Sequence, residues 1–493
     1  MTSVVELPLW LVVLALILAA IAALERVLMP SARWFLRRRA ERLIGRLNTH
    51  LSRPIRPFRL MARADRIVQL TYDPQVVQAA IDHARATGTP EPVVFEAVRK
   101  AAREIVPGFS AIIYFSIASR LARWLSRALY DVRVGRVDAA LSQIDDEATV
   151  VFVMNHRSNM DYVLVTWLVA NRSALSYAVG EWAQVWPLSA MIRGMGAFFV
   201  RRNSRDALYR KVLARYVQLI TAEGVTQAVF PEGGLSLDGR VGPAKMGLLS
   251  YILQGHGPGH RDVVFVPVGI SYDRVLEDRV LVEAAARGER RFRGSIWSGL
   301  GFVARMIRHK LRGSYQGFGA AAVSFGTPLS LAEWLLQHPA EPEALGTDLM
   351  ARVAAVVPAL PVPLVAAALL AGARDRPAVK TAVTDLTAQL AARSVPLELP
   401  EAASPGAAIA AAVDQGLAAL IARGIVLEQE GATEAGLADA GPEQLGPAQV
   451  GPAQVGSEQV GPKRAVLRIA PDKAALCAFQ AASVTQHLGQ FPA

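Results

Sequence analysis

The stretch VVFVMNHRSNMDYVLV, residues 150–165, sets a histidine and an aspartate five positions apart in a polar break between two apolar runs. His156 and Asp161 are residue types that can act as a pair. A carboxylate holding one imidazole nitrogen leaves the other to act as a base, and it stabilises the imidazolium formed later. On a continuous helix, five residues turn about 500°, so the two side chains would diverge by about 140°. TVVFVM, however, reads as a strand and SNMDYVLV as the start of a helix. His156 then precedes the helix, and the turn can fold it back onto Asp161. Ser158 and Asp161 also have the spacing of a capping box, although Glu or Gln is the commoner partner. Spacing alone therefore leaves two readings: a surface histidine beside a helix cap, or a general base with its orienting carboxylate.

Three further stretches carry polar residues at the ends of apolar runs: GAFFVRRN (196–203), FPEGGLSLDGRVGPAKMGLL (230–249) and VPVGISYDRVLE (266–277). The segment GLSLDG comes near the G-x-S-x-G elbow of hydrolases, but its next glycine falls one position late. Ser236 therefore reads as a turn residue, which disfavours a lipase. His256 and His260 lie in HGPGH, which cannot be helical, and no third ligand is near, so no metal site is expected.

The elements that must position these residues begin near 147. Short β-rich runs at 148–154, 196–202, 225–230, 262–271 and 320–330 alternate with helical segments such as DYVLVTWLVANRS, SRDALYRKVLARYVQLITAEG and AKMGLLSYILQG. Nearly continuous apolar strands between helices predict an α/β domain with a mainly parallel sheet flanked by helices. Residues 31–130 read mostly as helix, and PQVVQAAIDHARATG has a glycine stop. Residues 109–129 are apolar and long enough to bury against a core or the bilayer surface. The apolar segment 356–377 carries three prolines in its first half and reads as a loop leading into a buried or interfacial helix. Residues 441–462 repeat GPEQL, GPAQV, GPAQV and GSEQV, a linker rather than a core. A short tail with room for one helix follows.

The chain has 493 residues, 52% of them hydrophobic, and a net charge of +11. Its single cysteine, Cys477, excludes an internal disulfide framework. Residues 26–66 hold twelve arginines against two acids, a net of +10, so almost all the excess charge lies in one segment. It directly follows LPLWLVVLALILAAIAAL, residues 7–24, which reads as a membrane anchor at the short end of the usual length. A cleaved signal would want positive charge before the run, where the only nearby charge is Glu6; a buried or interfacial helix is the other alternative. Arginines after the span place the bulk of the chain on the cytoplasmic side of the inner membrane. They also suit anionic headgroups, which accounts for the charge better than nucleic acid does.

In order and spacing, NHRSNMDY, GAFFVRRN, FPEGGLSLDGRVGPAKMGLL and VPVGISYDRVLE resemble the four sequence blocks of the glycerol-3-phosphate acyltransferase family, in particular its bacterial membrane enzymes. VVPALPVPLVAAALLAG and VSFGTPLSL also look like that family, and the resemblance covers roughly 145–375. It implies a glycerolipid-acyltransferase-like α/β fold and transfer of a fatty acyl group from a thioester, on CoA or an acyl-carrier protein, to glycerol 3-phosphate. No cofactor beyond that co-substrate is implied. By the same resemblance, His156 is the base and Asp161 its carboxylate. The substrate-binding positions fall on Arg201 and Arg202, on Glu232, Gly233 and Gly234, and on Pro267. One departure concerns the acceptor: where the family usually has arginine after the glycines, and often a second basic residue two further on, this chain has Leu235 and Leu237. A guanidinium binds phosphate with two parallel hydrogen bonds and leucine cannot. Arg157, Arg193, Arg240 and Lys245 remain as cations, alongside Arg201 and Arg202. The same chemistry on a lysophospholipid or another lipid alcohol is the alternative, and a membrane-tethered lipid-binding protein without catalysis is a third. The expected organisation is a membrane anchor (1–30), a basic helical region (31–130), a catalytic domain (131–335), a C-terminal helical region (336–430), the repeat linker (431–462) and a short tail (463–493).

Overall fold

The computed structural model describes residues 8–23, 38, 42, 44–135, 141–170, 172–180, 188–201, 204–288, 308, 317–430 and 465–489. Arg202 and the repeat linker lie outside them. The N-terminal part is helical: α1 (Leu9–Ala23), α2 (Arg63–Thr71), α3 (Pro74–Thr87) and α4 (Glu91–Ile105). Asp73 caps α3 by accepting the Gln75 N–H, and Gly88 ends it in the left-handed conformation, as the glycine stop predicts. A π-helical turn (Ile113–Ala118) then runs into α5 (Ser119–Leu129).

The sheet follows, with strands β1 (Asp131–Val134), β2 (Thr149–Met154), β3 (Ser176–Gly180), β4 (Phe198–Val200), β5 (Gln227–Val229), β6 (Val263–Tyr272), β7 (Ala320–Phe325) and β8 (Leu329–Ser330). Their order is β1-β7-β6-β2-β5-β3-β4, with β8 also on β6. Strands β6, β2, β5, β3 and β4 run parallel, while β7 and β8 pair antiparallel to β6. The sheet is thus mainly parallel, as the apolar runs indicate. Two of its strands, β1 and β3, were not expected from the sequence: DVRV is half polar, and SYAVG is short and ends in glycine.

Strand β2 shows why the fold has two helical layers. Val151 and Val153 join one core cluster, while Val150, Phe152 and Met154 join the other. Successive residues point to opposite faces, so a strand apolar at every position is buried on both. One face is covered by α3, α4, α7 (Ala207–Ala222) and α8 (Gly247–Gln254), and the other by α6 (Met160–Val169) and residues of α9 (Asp278–Arg287).

The C-terminal region forms a third cluster around α10 (Pro361–Leu370), whose residues 361–369 are all buried. The segment with three prolines is therefore a core helix, entered by Pro361 at its first turn, where a missing N–H costs nothing. Helices α11 (Arg376–Ala392), α12 (Pro405–Ala422) and α13 (Ala474–Thr485) surround it, and β9 (Val426–Glu430) pairs antiparallel with β10 (Ala465–Ile469) across the linker. Residues 465–489 are thus more than a tail with one helix: Leu476, Cys477, Phe479 and Val484 are core residues. Short polar-flanked strands beside a low-complexity repeat give no sequence signal of that docking.

The basic segment needs a correction at its C-terminal end. Arg53 donates to the carbonyls of Ile144, Asp145 and Ala148, Arg56 to that of Asp146, and Arg63 to those of Arg103 and Val106. Buried Arg59 caps the carbonyls of Ala174, Leu175 and Met195. Arg53, Arg56 and Arg59 tie the helical region to loops of the sheet domain, and Arg63 ties α2 to the end of α4. They do not face headgroups.

Candidate active site

Every parallel strand delivers its carboxyl end to one edge of the sheet, the edge where open α/β folds bind ligands. There the chain leaves β2 into His156, β5 into the 230–242 loop and β6 into Tyr272–Glu277. Three of the four blocks therefore converge because their strands are adjacent and parallel.

Asp161 is the centre of the arrangement, and it is wholly buried. Its Oδ2 lies 2.9 Å from His156 Nδ1 and accepts the backbone N–H groups of Arg157 at 2.7 Å and Ser158 at 3.0 Å. Its Oδ1 accepts the Tyr272 hydroxyl at 2.6 Å. His156 is buried, not on the surface, but the cap of the other reading is there as well. The carboxylate satisfies the N–H groups of the turn at the start of α6 and holds the imidazole with the same oxygen. The break after β2 makes this possible: Asn155 prolongs the strand by pairing its amide with the backbone of Ile270 at 2.8 and 2.9 Å, and the chain then turns back into α6.

His156 is fixed from every side. Its N–H donates to Glu232 Oε1 at 3.0 Å, and its carbonyl accepts Ser236 N–H at 2.8 Å. Its ring lies 4.3 Å from that of Phe230 and 5.3 Å, edge-on, from that of Tyr162. An imidazole held at Nδ1 by a carboxylate can take a proton at Nε2. Glu232 also accepts the Gly242 N–H, and burial pushes its pKa up from 4.5 to about 7. Glu232 is thus a backbone clamp on His156. Glu277 clamps the same turn from β6, accepting the Ser158 hydroxyl at 2.7 Å and the Asn159 amide at 3.0 Å.

The glycine turn is built on a positive φ: Gly233 has φ +65°, and a Cβ there would meet Lys245 Cδ at 2.9 Å. Exposed Lys245 therefore lies across the turn. The Gly233 N–H donates to Phe230 O at 3.0 Å. It cannot also stabilise an oxyanion, which leaves Gly234 of the expected pair. Arg240 is exposed at the loop's end. The Ser236 hydroxyl is used within its own turn, by Gly239 N–H and Arg240 O. Leu235 and Leu237 pack against the apolar core.

The remaining expected residues lie elsewhere or deeper. Arg157 is buried: it donates to Gly239 O, rests 5.3 Å over the Phe479 ring, and keeps Nε and Nη2 without a hydrogen-bond partner. Burial lowers its pKa, with Asp161 and Glu232 opposing. The fork of Arg201 is taken by Glu104 at 2.9 and 2.5 Å, so a phosphate there would have to displace a carboxylate. Arg193 likewise donates to Glu104 O. Pro267 sits inside β6 with its carbonyl accepting Gly326 N–H at 2.8 Å. Its missing N–H falls between the β8 and β7 pairings, where no ladder partner is lost.

The sequence reading missed Tyr272, Glu277, Asn155 and Phe479. Tyr272 and Glu277 stand in the fourth block, VPVGISYDRVLE, five and ten residues beyond its proline. A tyrosine ending an apolar strand and an acid just beyond it were the available signals. Phe479 had none.

The chain is similar to known proteins over two regions. Residues 136–271 match the Acyltransferase model, and residues 303–443 match the glycerol-3-phosphate acyltransferase C-terminal region. A glycerol-3-phosphate acyltransferase of Pasteurella multocida is 31% identical over 57% of this chain and 34% of its own length. One of Actinobacillus succinogenes is 32% identical over 59% and 35%. A crystal structure of a 1-acyl-sn-glycerophosphate acyltransferase from Thermotoga maritima covers 59% of this chain and 94% of that one at 19% identity, with a TM-score of 0.31, too loose a likeness to argue from. The Acyltransferase match spans strands β2 to β6. The chain is thus similar to glycerol-3-phosphate acyltransferases over these regions, and it spans about a third of the length of the curated relatives it matches.

Proposed function

We propose that this chain transfers a fatty acyl group from an acyl thioester to the hydroxyl of glycerol 3-phosphate in phospholipid synthesis. The observation that carries the reading is the 2.9 Å contact of His156 Nδ1 with the buried Asp161 carboxylate. His156 Nε2 takes the proton of the acceptor hydroxyl as its oxygen attacks the thioester carbonyl carbon. The C–O bond forms, the tetrahedral intermediate collapses, the C–S bond breaks, and the leaving thiolate takes the proton from the imidazolium. Such base catalysis contributes typically ~10²–10⁴-fold. Gly234 N–H is the proposed oxyanion donor. Arg240 and Lys245, exposed on the catalytic loop, are the proposed phosphate contacts; Arg202 has the same proposed role. The donor is acyl-CoA or acyl-carrier protein, and α1 anchors the chain in the inner membrane with the sheet on the cytoplasmic side.

A second acceptor is favoured by one feature. Leu235 and Leu237 pack into the core where phosphate-pairing arginines stand in the family, so a lysophospholipid would lose less here than a small phosphate ester. Full-length protein given labelled acyl-CoA with glycerol 3-phosphate, lysophosphatidate or monoacylglycerol in competition separates the two. Lysophosphatidate as the main product supports the first reading; phosphatidate from lysophosphatidate alone replaces it with the second. Deleting residues 1–30 tests the anchor: the shortened chain should leave the membrane fraction at high salt, and resistance to salt and alkali would show that another part of the chain is embedded.

A further inference from the structure

The continuous helix formed by the Ile113–Ala118 turn and α5 presents a surface that is exposed among the described residues. Its inner side, Ala118, Ala122, Ser126 and Leu129, is buried. Its outer side carries Ile117, Leu121 and Trp124, which are 54, 45 and 48% exposed, and Ile112, just before the turn, is 56% exposed. On an ideal helix Ile117, Leu121 and Trp124 share an arc of about 60°, and Arg120, Arg123 and Arg127 fill an adjacent arc of about the same width. Residues 109–130 contain no acid, and among the described residues no carboxylate pairs with any of the three arginines. A soluble surface rarely lines up a Trp, a Leu and an Ile beside three arginines with no carboxylate partner among the described residues. An interfacial helix needs that composition, with apolar side chains at the acyl boundary and arginines among the phosphates.

Two other features point the same way. The segment that leads out of the basic region toward α1 packs here: Ile44, Leu51 and Ile55 share a cluster with Ala111, Tyr114 and Phe115 of the turn before α5. Residues 44–55 therefore pack against the start of this helix. On its other flank, α5 packs along α6. There Arg127 lies 5.3 Å over the Trp167 ring, and α6 begins with Asp161 and with Tyr162, whose ring meets His156.

We infer that the outer face of the Ile113–Ala118 turn and α5 is a docking surface for an anionic lipid bilayer, which lays the His156 edge of the sheet against the membrane. The surface does not require α1 to be an anchor. It adds a second contact that fixes the orientation of the domain and gives a long acyl chain a short path from the bilayer to His156.

The test uses the full chain with single cysteines introduced by Leu14→Cys, Ile117→Cys, Leu121→Cys or Leu336→Cys. Native Cys477 is buried and stays. Each is labelled with an environment-sensitive fluorophore and placed in phosphatidylglycerol–phosphatidylcholine vesicles containing spin-labelled acyl chains. Leu336 is 86% exposed on a helix that packs the opposite face of the sheet and serves as the dry control. Labels at 14, 117 and 121 should be quenched, those at 117 and 121 at least about half as strongly as that at 14, because an interfacial helix sits at the headgroup–acyl boundary; the label at 336 should not be. Arg120→Glu with Arg123→Glu should remove quenching at 117 and spare it at 14. Quenching at 14 with none at 117 or 121 overturns the inference and leaves the anchor standing. Quenching at 117 without 14 keeps the surface and overturns the anchor. Shielding of 117 from aqueous iodide without lipid quenching shows a protein occupant, such as a second copy, and also overturns it.

Discussion

Replacing Asp161 by Asn separates the two jobs that one carboxylate performs. The amide oxygen can take the place of Oδ2 and still accept from His156 Nδ1, Arg157 N–H and Ser158 N–H, now at 2.9, 2.7 and 3.0 Å. The amide nitrogen then faces the Tyr272 hydroxyl, which can turn to accept. No hydrogen bond need be lost, and a buried charge is removed, so stability should change by no more than about 1 kcal/mol, the size of a full cap deletion. The imidazolium fares differently. Two unit charges about 4 Å apart interact by roughly 4 kcal/mol at an effective dielectric of about 20. That energy is present when the proton sits on His156 and absent when it does not. Losing it should slow turnover by at least about 100-fold, with little change in the Michaelis constant of either substrate. The assay is acyl transfer in detergent micelles, with thermal unfolding of the same preparation as the control. A folded variant turning over within a few-fold of the wild type would refute the base assignment and leave Asp161 as a structural residue.

Tyr272→Phe removes the 2.6 Å hydroxyl contact on Asp161 Oδ1; a hydrogen bond to a charged acceptor contributes about 1.5–3 kcal/mol, so kcat should fall at least about tenfold while KM holds. Glu232 gives a pH prediction. Its pKa is about 7 in the fold against 4.5 normally, so between those values the folded chain holds a proton that the unfolded chain has released. Stability should therefore fall as pH rises from about 4.5 through 7, by on the order of 3 kcal/mol. Glu232→Gln should flatten that slope in denaturant titrations at pH 5 and pH 8, and an unchanged slope would assign it to another group. Arg240→Ala should raise KM for glycerol 3-phosphate by about 10- to 150-fold, the worth of one charged hydrogen bond. KM for the thioester should hold, and an equal rise in both would exclude a specific phosphate contact.

The dyad was legible because its geometry is local. A strand, a tight break and a helix start within thirteen residues fix where His156 and Asp161 can go. Most of the sheet was legible for a similar reason: β2, β5 and β6 are apolar at nearly every position, which is the mark of a strand buried on both faces. What escaped was long-range. Tyr272 reaches Asp161 across 111 positions, and Arg53 reaches the 144–148 carbonyls across more than ninety. Nothing in a linear pattern says that a tyrosine ending a strand will meet a carboxylate, or that an arginine in a basic run will cap a loop. The docking of α13 was the least legible. Phe479 against Arg157, and Gln486 accepting the Val241 N–H on its side-chain carbonyl, lie beyond a Gly-Pro repeat that carries no folding signal of its own. Arg201 shows the converse: the residue was found, but its partner is Glu104 on α4, and pairing across elements turned a candidate phosphate ligand into a tie between layers.

The most direct measurement is the product formed by the full-length chain from labelled acyl-CoA and glycerol 3-phosphate, compared between the wild type and His156→Ala. The imidazole is buried beneath Phe230 and Tyr162, and its removal leaves the backbone clamps of Glu232 and Ser236 in place. The variant should therefore fold. The account predicts labelled lysophosphatidate from the wild type and none above background from the variant. Lysophosphatidate formed equally by both would contradict the assignment of His156 as the base. None formed by the wild type, with transfer to a lysophospholipid instead, would contradict glycerol 3-phosphate as the acceptor.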